Sequence, residues 1–313
     1  MIKANPTFQF IIALLAAFIT ASCTKDNGSP QPGNAAAKGS SYDSTTVKIA
    51  VMPTLDCLPL FVAESQGLFS RADLDVALLP FTAQMDCDTA IAGGSVDGLV
   101  TDLVRAERLQ RQGTKLRYVA ATDLQWQLLT SITARIKQLK QLDDKMLAMT
   151  RHSATALIAD MLVDSVKLAS ERVFRIQVND VQIRLNMLQT GVMDAMLLPE
   201  PQATVARLLP ATVVYDTAAD TLRLGTVAFS EKSLALPKLK DKLDAFTKVY
   251  NEACDSITER GIEHYRDIVA QYCHVEPQIA DTLAKQHPMA FPHAKAPRQG
   301  HIDRAKAWLD KTK

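Results

Sequence analysis

Five carboxylates stand where a chain of alternating strands and helices turns between elements: Asp56, Asp86, Asp102, Asp123 and Glu200. Carboxylates gathered in one cleft accept N–H groups and favour cations. Asp102 also directly precedes a helical pattern, the position of an N-terminal cap. Ser153 and Thr155 flank Ala154 where another helical pattern begins, just after Arg151 and His152. Hydroxyls and free N–H groups at such a point receive a carboxylate, a sulfonate or a ring acceptor, or they simply cap the helix. Trp126 offers a flat surface for stacking or a cation–π contact, with core or hinge packing as its alternative. Leu55, Cys57, Gln84 and Thr101 complete the expected ligand-binding set, with Gln125 and Asn179 beside them.

Catalysis is the rival use of such residues, with His152 recast as the working group. The chain has no nucleophile elbow, no phosphate loop and no histidine pair at metal spacing. His287 and His293 lie in a run broken by Pro288 and Pro292, which reads as a loop. The expectation is therefore a binding protein with no catalytic residue, no cofactor and no metal.

These residues need elements to hold them. The strand 47–52 is stopped by Pro53, which lacks the N–H a central strand needs. A turn over 54–57 leads into a helix from Leu58 to Ser65, closed by Gly67. Strands at 74–80, 97–101 and 116–122 then alternate with helices at 84–92 and 102–112. The stretch 123–131 breaks the rhythm. It resumes with strands at 146–149, 173–178, 195–198 and 212–215 and helices at 154–163, 181–188 and up to about 209. One more strand, 224–229, precedes a helical tail.

This alternation predicts an α/β fold of two lobes, each a mostly parallel sheet flanked by helices, joined by a two-strand hinge. Lobe 1 is expected to comprise 47–123 plus 224–313, and lobe 2 to comprise 124–223. Both share a phrase: Gly93-Gly94-Ser95-Val96-Asp97 in the first corresponds to Thr190-Gly191-Val192-Met193-Asp194 in the second. A glycine ends a helix and an aspartate precedes a short strand, a structural pairing.

Composition narrows the class. A length of 313 residues suits about two domains. The net charge of +1 gives no nucleic-acid footprint, and aromatics at 6% are too sparse for a stacking platform. Residues 1–22 read as an export signal, with Lys3, an apolar run from Phe10 to Ile19 and small residues before Cys23. Residues 23–46 have no apolar periodicity and read as a flexible tether. Four cysteines remain beyond Cys23, and Cys57 with Cys87 and Cys254 with Cys273 are the favoured disulfides. Four cysteines allow three pairings, and free buried thiols are the alternative.

Small residues directly before a cysteine resemble a bacterial lipoprotein signal, which implies lipidation of Cys23 and an exported, membrane-anchored protein facing the periplasm or the outer side of the inner membrane. Thr20 departs from that pattern, where leucine is usual. From Val47 onward, Pro59-Leu60-Phe61-Val62-Ala63, Gln66-Gly67-Leu68-Phe69, Leu74-Asp75-Val76 and the Pro199-Glu200-Pro201 turn resemble type II solute-binding proteins of ABC importers. The resemblance is to the branch for nitrate, alkanesulfonates and thiamine-pyrimidine precursors. It implies a monomer that closes two lobes on a small-molecule solute and hands it to a permease and its ATPase. The same fold also hosts enzymes, and an anchored sensor without an importer is a third class. The acidic turn residues favour a nitrogen-containing or cationic organic ligand over an anion.

Overall fold

The computed structural model describes residues 45–312. The export signal, Cys23 and nearly all of the tether fall outside the described residues. Thr46, expected in the tether, is buried, and its hydroxyl donates to Asp75.

The first lobe opens with β1 (Val47–Val51), α1 (Leu58–Ser65), α2 (Leu68–Arg71), β2 (Val76–Pro80), α3 (Gln84–Gly93), β3 (Gly98–Asp102), α4 (Leu103–Arg111) and β4 (Leu116–Thr122). Residues 123–125 then cross to β5 (Trp126–Thr130), β6 (Lys145–Met149), α5 (Ala154–Ser165), β7 (Val173–Gln177), α6 (Val181–Gln189), β8 (Ala195–Pro199), α7 (Gln202–Leu208) and β9 (Thr212–Asp216). Residues 217–224 return the chain to β10 (Gly225–Ser230) and α8 (Glu231–Leu234). The tail follows as α9 (Leu243–Arg260), α10 (Arg266–Cys273), α11 (Gln278–Gln286) and α12 (Gln299–Lys311).

Two five-stranded sheets result, ordered β2-β1-β3-β10-β4 and β7-β6-β8-β5-β9. Each is parallel except for one strand: β10 runs against β3 and β4, and β5 runs against β8 and β9. In both sheets the odd strand is the first one after a crossing. The two-lobed α/β expectation holds, each lobe carrying the same strand order.

The shared glycine–aspartate phrase has a common purpose. Gly94 (φ 74°) and Gly191 (φ 69°) take the left-handed conformation that ends α3 and α6. Asp97 Oδ2 then accepts the backbone N–H of Lys48 in β1 at 2.9 Å, and Asp194 Oδ2 accepts that of Met146 in β6 at 2.9 Å. Each carboxylate therefore ties its loop to a strand of its own lobe.

The stretch 123–131, expected to interrupt the alternation, contains β5. All five of its residues are buried, so the period-two signature of a half-exposed strand is missing. Trp126 lies in an apolar cluster with Leu103, Leu128, Leu157 and Leu224, which is core packing and not a stacking surface. Helix α12 adds Ile302, Ala305 and Leu309 to the same cluster. Its Trp308 Nε1 donates to Asp160 of α5, while Arg111 of α4 pairs with Asp310, so the tail spans elements of both lobes.

The expected disulfides are not formed. Cys57, Cys87, Cys254 and Cys273 are all free and buried. Their sulfurs turn toward different neighbours: Cys57 to the Thr54 hydroxyl, Cys87 to Met52 Sδ, and Cys254 to the Pro292 carbonyl. Burial raises the pKa of all four thiols, which keeps them protonated.

Candidate functional site

Parallel strands point their carboxyl ends at a common seam, where ligands of open α/β sheets sit. In the first lobe the turn after β1 brings Leu55, Asp56 and Cys57 there, β3 ends in Thr101 and Asp102, and β4 leads to Gln125. In the second lobe β6 leads to Ser153 and α5, and β8 to Glu200 and Gln202. The two sides meet directly. Leu55 N–H donates to the Glu200 carbonyl at 2.9 Å, and Gln202 Nε2 donates to the Pro53 carbonyl at 2.7 Å. Ala154 N–H donates to Asp102 Oδ1 at 3.0 Å.

Asp56 and Asp102 are the two seam carboxylates with shifted acidity. Asp56 accepts from the Thr54 hydroxyl at 2.6 Å and the Thr122 hydroxyl at 3.4 Å. Burial pushes its pKa up to about 6 against those hydrogen bonds. Asp102 is likewise pushed up to about 6 by burial, opposed by the nearby Arg105 charge and the Arg105 and Ala154 N–H groups. Arg105 is itself fully buried and clamped by Asp88 of α3 through Nε and Nη2.

Four polar atoms along the seam are buried and lack any hydrogen-bond partner: Thr101 Oγ1, Asp102 Oδ2, Gln125 Oε1 and Gln202 Oε1. The glutamine orientations follow from their other contacts. Gln125 Nε2 donates to Asp123 at 2.8 Å and Gln202 Nε2 to Pro53, so the atoms left over are carbonyl acceptors. Three acceptors and one hydroxyl are thus left without a protein partner. Arg105 Nη1 is also buried without a partner, as is His287 Nδ1, 3.6 Å from Glu200 Oε1. Gln202 was absent from the expected set; only its place after the Pro-Glu-Pro turn signalled it.

The other expected residues divide. Ser153 and Thr155 spend their hydroxyls on capping: Ser153 Oγ accepts Thr155 N–H and donates to the Thr150 carbonyl, and Thr155 Oγ1 accepts Thr150 N–H. Glu200 is held by Thr204 and Arg207, with Arg207 Nη1 at 2.7 Å. Asp123 serves the crossing, accepting from Arg223 Nε at 2.6 Å and Ala290 N–H at 3.0 Å. Gln84 and Asp86 open α3, where Asp86 is exposed and the preceding Ala83 bridges Asp180 of the second lobe. His152 is partly exposed with φ 51°; burial, then Arg108, Arg151 and Arg105, disfavour its protonation. Among the described residues no group of three or more His, Cys, Asp or Glu side chains is arranged to hold a metal ion.

Solved structures share this fold. The alkanesulfonate-binding protein SsuA from Xanthomonas axonopodis pv. citri, bound to MOPS, superposes with a TM-score of 0.73 at 16% identity, covering 85% of this chain and 92% of that one. The nitrate-binding protein NrtA from Synechocystis PCC 6803 gives 0.69 at 13% identity, covering 82% and 74%. PhnD1 from Prochlorococcus marinus, in complex with methylphosphonate, gives 0.58 at 11% identity, covering 85% and 99%. A search of curated proteins finds no match. The model of the NMT1-like family matches residues 40–270, more than half of the chain, and the chain belongs to that family.

Proposed function

We propose that the protein is the solute-binding component of an ABC importer: its two lobes close on a small nitrogen-bearing organic solute, which a permease and its ATPase then take up. Cys23 carries the lipid that holds the protein at the membrane. The observation that carries this reading is the set of unpartnered, buried seam atoms, Thr101 Oγ1, Asp102 Oδ2, Gln125 Oε1 and Gln202 Oε1. A buried polar atom without a partner costs about 1–3 kcal/mol, so a ligand that supplies the missing donors closes the lobes by satisfying both sides at once. Membership of the NMT1-like family, and the binding proteins among its structural neighbours, support the same reading over an enzymatic one.

Ligand closure is then a matter of differential contact: only the closed arrangement places Asp102 and Gln202, which lie on opposite lobes, around one molecule. Native followed by denaturing mass spectrometry of the purified protein tests the proposal. The expected result is a stoichiometric organic molecule with N–H groups, released intact. A captured oxyanion overturns the nitrogen-bearing part. An empty protein showing no thermal shift with amines, pyrimidines or sulfonates overturns solute binding itself.

A further inference from the structure

The N-terminus of α5 has the makings of an anion site. It is twelve residues long, and its first-turn N–H groups point into the seam. Its surroundings are basic: Arg105, Arg108 and Arg151 are the charges that, after burial, hold His152 below its ordinary pKa. Yet none of those N–H groups is left over. Thr155 N–H goes to Ser153 Oγ, Ala156 and Leu157 N–H go to the Ser153 carbonyl, and Ala154 N–H goes to Asp102 Oδ1 from the other lobe. The same Asp102 oxygen caps α4 by accepting Arg105 N–H at 3.0 Å. One carboxylate oxygen therefore serves the N-termini of two helices, while the other, Oδ2, is buried and unpartnered.

We propose that Asp102 is the specificity-determining residue of the seam: its carboxylate occupies the place an oxyanion would take on α5 and presents its second oxygen to the ligand, so the site admits N–H-bearing cationic or neutral solutes and rejects oxyanions. This rests on the solute-binding reading above. The rejection is electrostatic, because above about pH 6 a second anion would meet the ionised carboxylate in a buried setting, and competitive, because the N–H it needs is already bonded. The selection is chemical, because Oδ2 accepts and never donates while ionised. Asp88 pairs with Arg105, and the two act on Asp102 in opposite directions, Arg105 favouring its ionised form and Asp88 disfavouring it.

Two variants of the full chain separate the roles. Asp102→Ser keeps a good cap on α4, but its shorter side chain withdraws from Ala154 N–H. Asp102→Asn keeps an oxygen on both N–H groups and turns a donor, in place of Oδ2, toward the ligand. Each is titrated calorimetrically with methanesulfonate and with 4-aminopyrimidine, after a circular-dichroism melt has established that it folds. The expected result is that Asp102→Ser binds methanesulfonate at least about tenfold more tightly than the parent chain. Asp102→Asn loses about tenfold for 4-aminopyrimidine without that gain. A parent chain that binds methanesulfonate as tightly as Asp102→Ser, or a folded Asp102→Ser that gains nothing, overturns the proposal. The solute-binding reading fails separately, if the parent binds neither 4-aminopyrimidine nor any co-purified solute; the methanesulfonate comparison still judges Asp102.

Discussion

The side-chain amide of Gln202 donates to the backbone carbonyl of Pro53 at 2.7 Å, joining the first residue of α7 in one lobe to the turn after β1 in the other. With Leu55 N–H on the Glu200 carbonyl, it ties the turns that follow β1 and β8 to each other across the seam. Gln202→Ala removes this tie and also one of the unpartnered acceptors. The expected outcome is a more open free protein, seen as a larger radius of gyration by small-angle scattering, and affinity for 4-aminopyrimidine reduced about five- to fiftyfold. An unchanged radius together with unchanged affinity counts against a ligand role for Gln202.

The acidity of Asp102 has a stability consequence with a definite sign. Its folded pKa of about 6 lies above the ordinary 3.8, so the folded state holds the proton more tightly than the unfolded one. The resulting stabilisation is fully present below the ordinary value and is lost as pH rises through about 6, on the order of 2–3 kcal/mol across the window. Asp56, also at about 6, acts in the same direction. His287, raised mainly by its bond to Asp216, adds to the trend, whereas His152 and His301, lowered chiefly by burial, oppose it. Asp102→Asn isolates its share: the gain in melting temperature between pH 7.5 and pH 4.5 is expected to shrink by several degrees in the variant. Identical pH profiles for the parent and Asp102→Asn contradict the assignment.

Much of this was legible in the residues. The strand–turn–helix units showed through Pro53, Gly67, Gly94 and Gly191, because proline and glycine act on the backbone locally. Asp102 as a cap was equally legible, being a matter of one residue and the helix after it. What a local reading could not supply was the partner across the seam. Nothing around Asp102 says that Ala154 N–H, 52 residues further on, meets the same oxygen. Trp126 and β5 misled for a related reason: a strand buried on both faces loses its alternation, and its polar side chains find partners in other segments, Gln127 in Arg207 and Asp216 and Thr130 in the Ile136 carbonyl. The cysteines misled because an even count says nothing about which way each sulfur points.

The thiols give a simple chemical test. All four described cysteines are buried and free, and burial keeps each protonated. N-ethylmaleimide is expected to leave Cys57, Cys87, Cys254 and Cys273 unmodified in the native protein and to alkylate all four in denaturant without prior reduction. Peptide mapping that finds any of them linked before reduction contradicts the free-thiol structure.

Asp123 was expected to touch the ligand, and its contacts assign it to the crossing. One oxygen receives Arg223 from the returning segment 217–224; the other receives Gln125 from its own segment and Ala290 N–H from the tail. Both crossings and the C-terminal run are thereby fixed to one partly buried carboxylate, which leaves it little capacity for a solute. Asp123→Ala strips three donors of their acceptor and is expected to cost about 1–3 kcal/mol, read as a lower midpoint in urea. A residue whose hydrogen bonds all serve the crossing is expected to leave the ratio of affinities for 4-aminopyrimidine and methanesulfonate at the parent value even if both weaken. That separates it from Asp102, where the ratio itself is expected to move. A changed ratio in Asp123→Ala, with stability intact, returns the residue to the ligand.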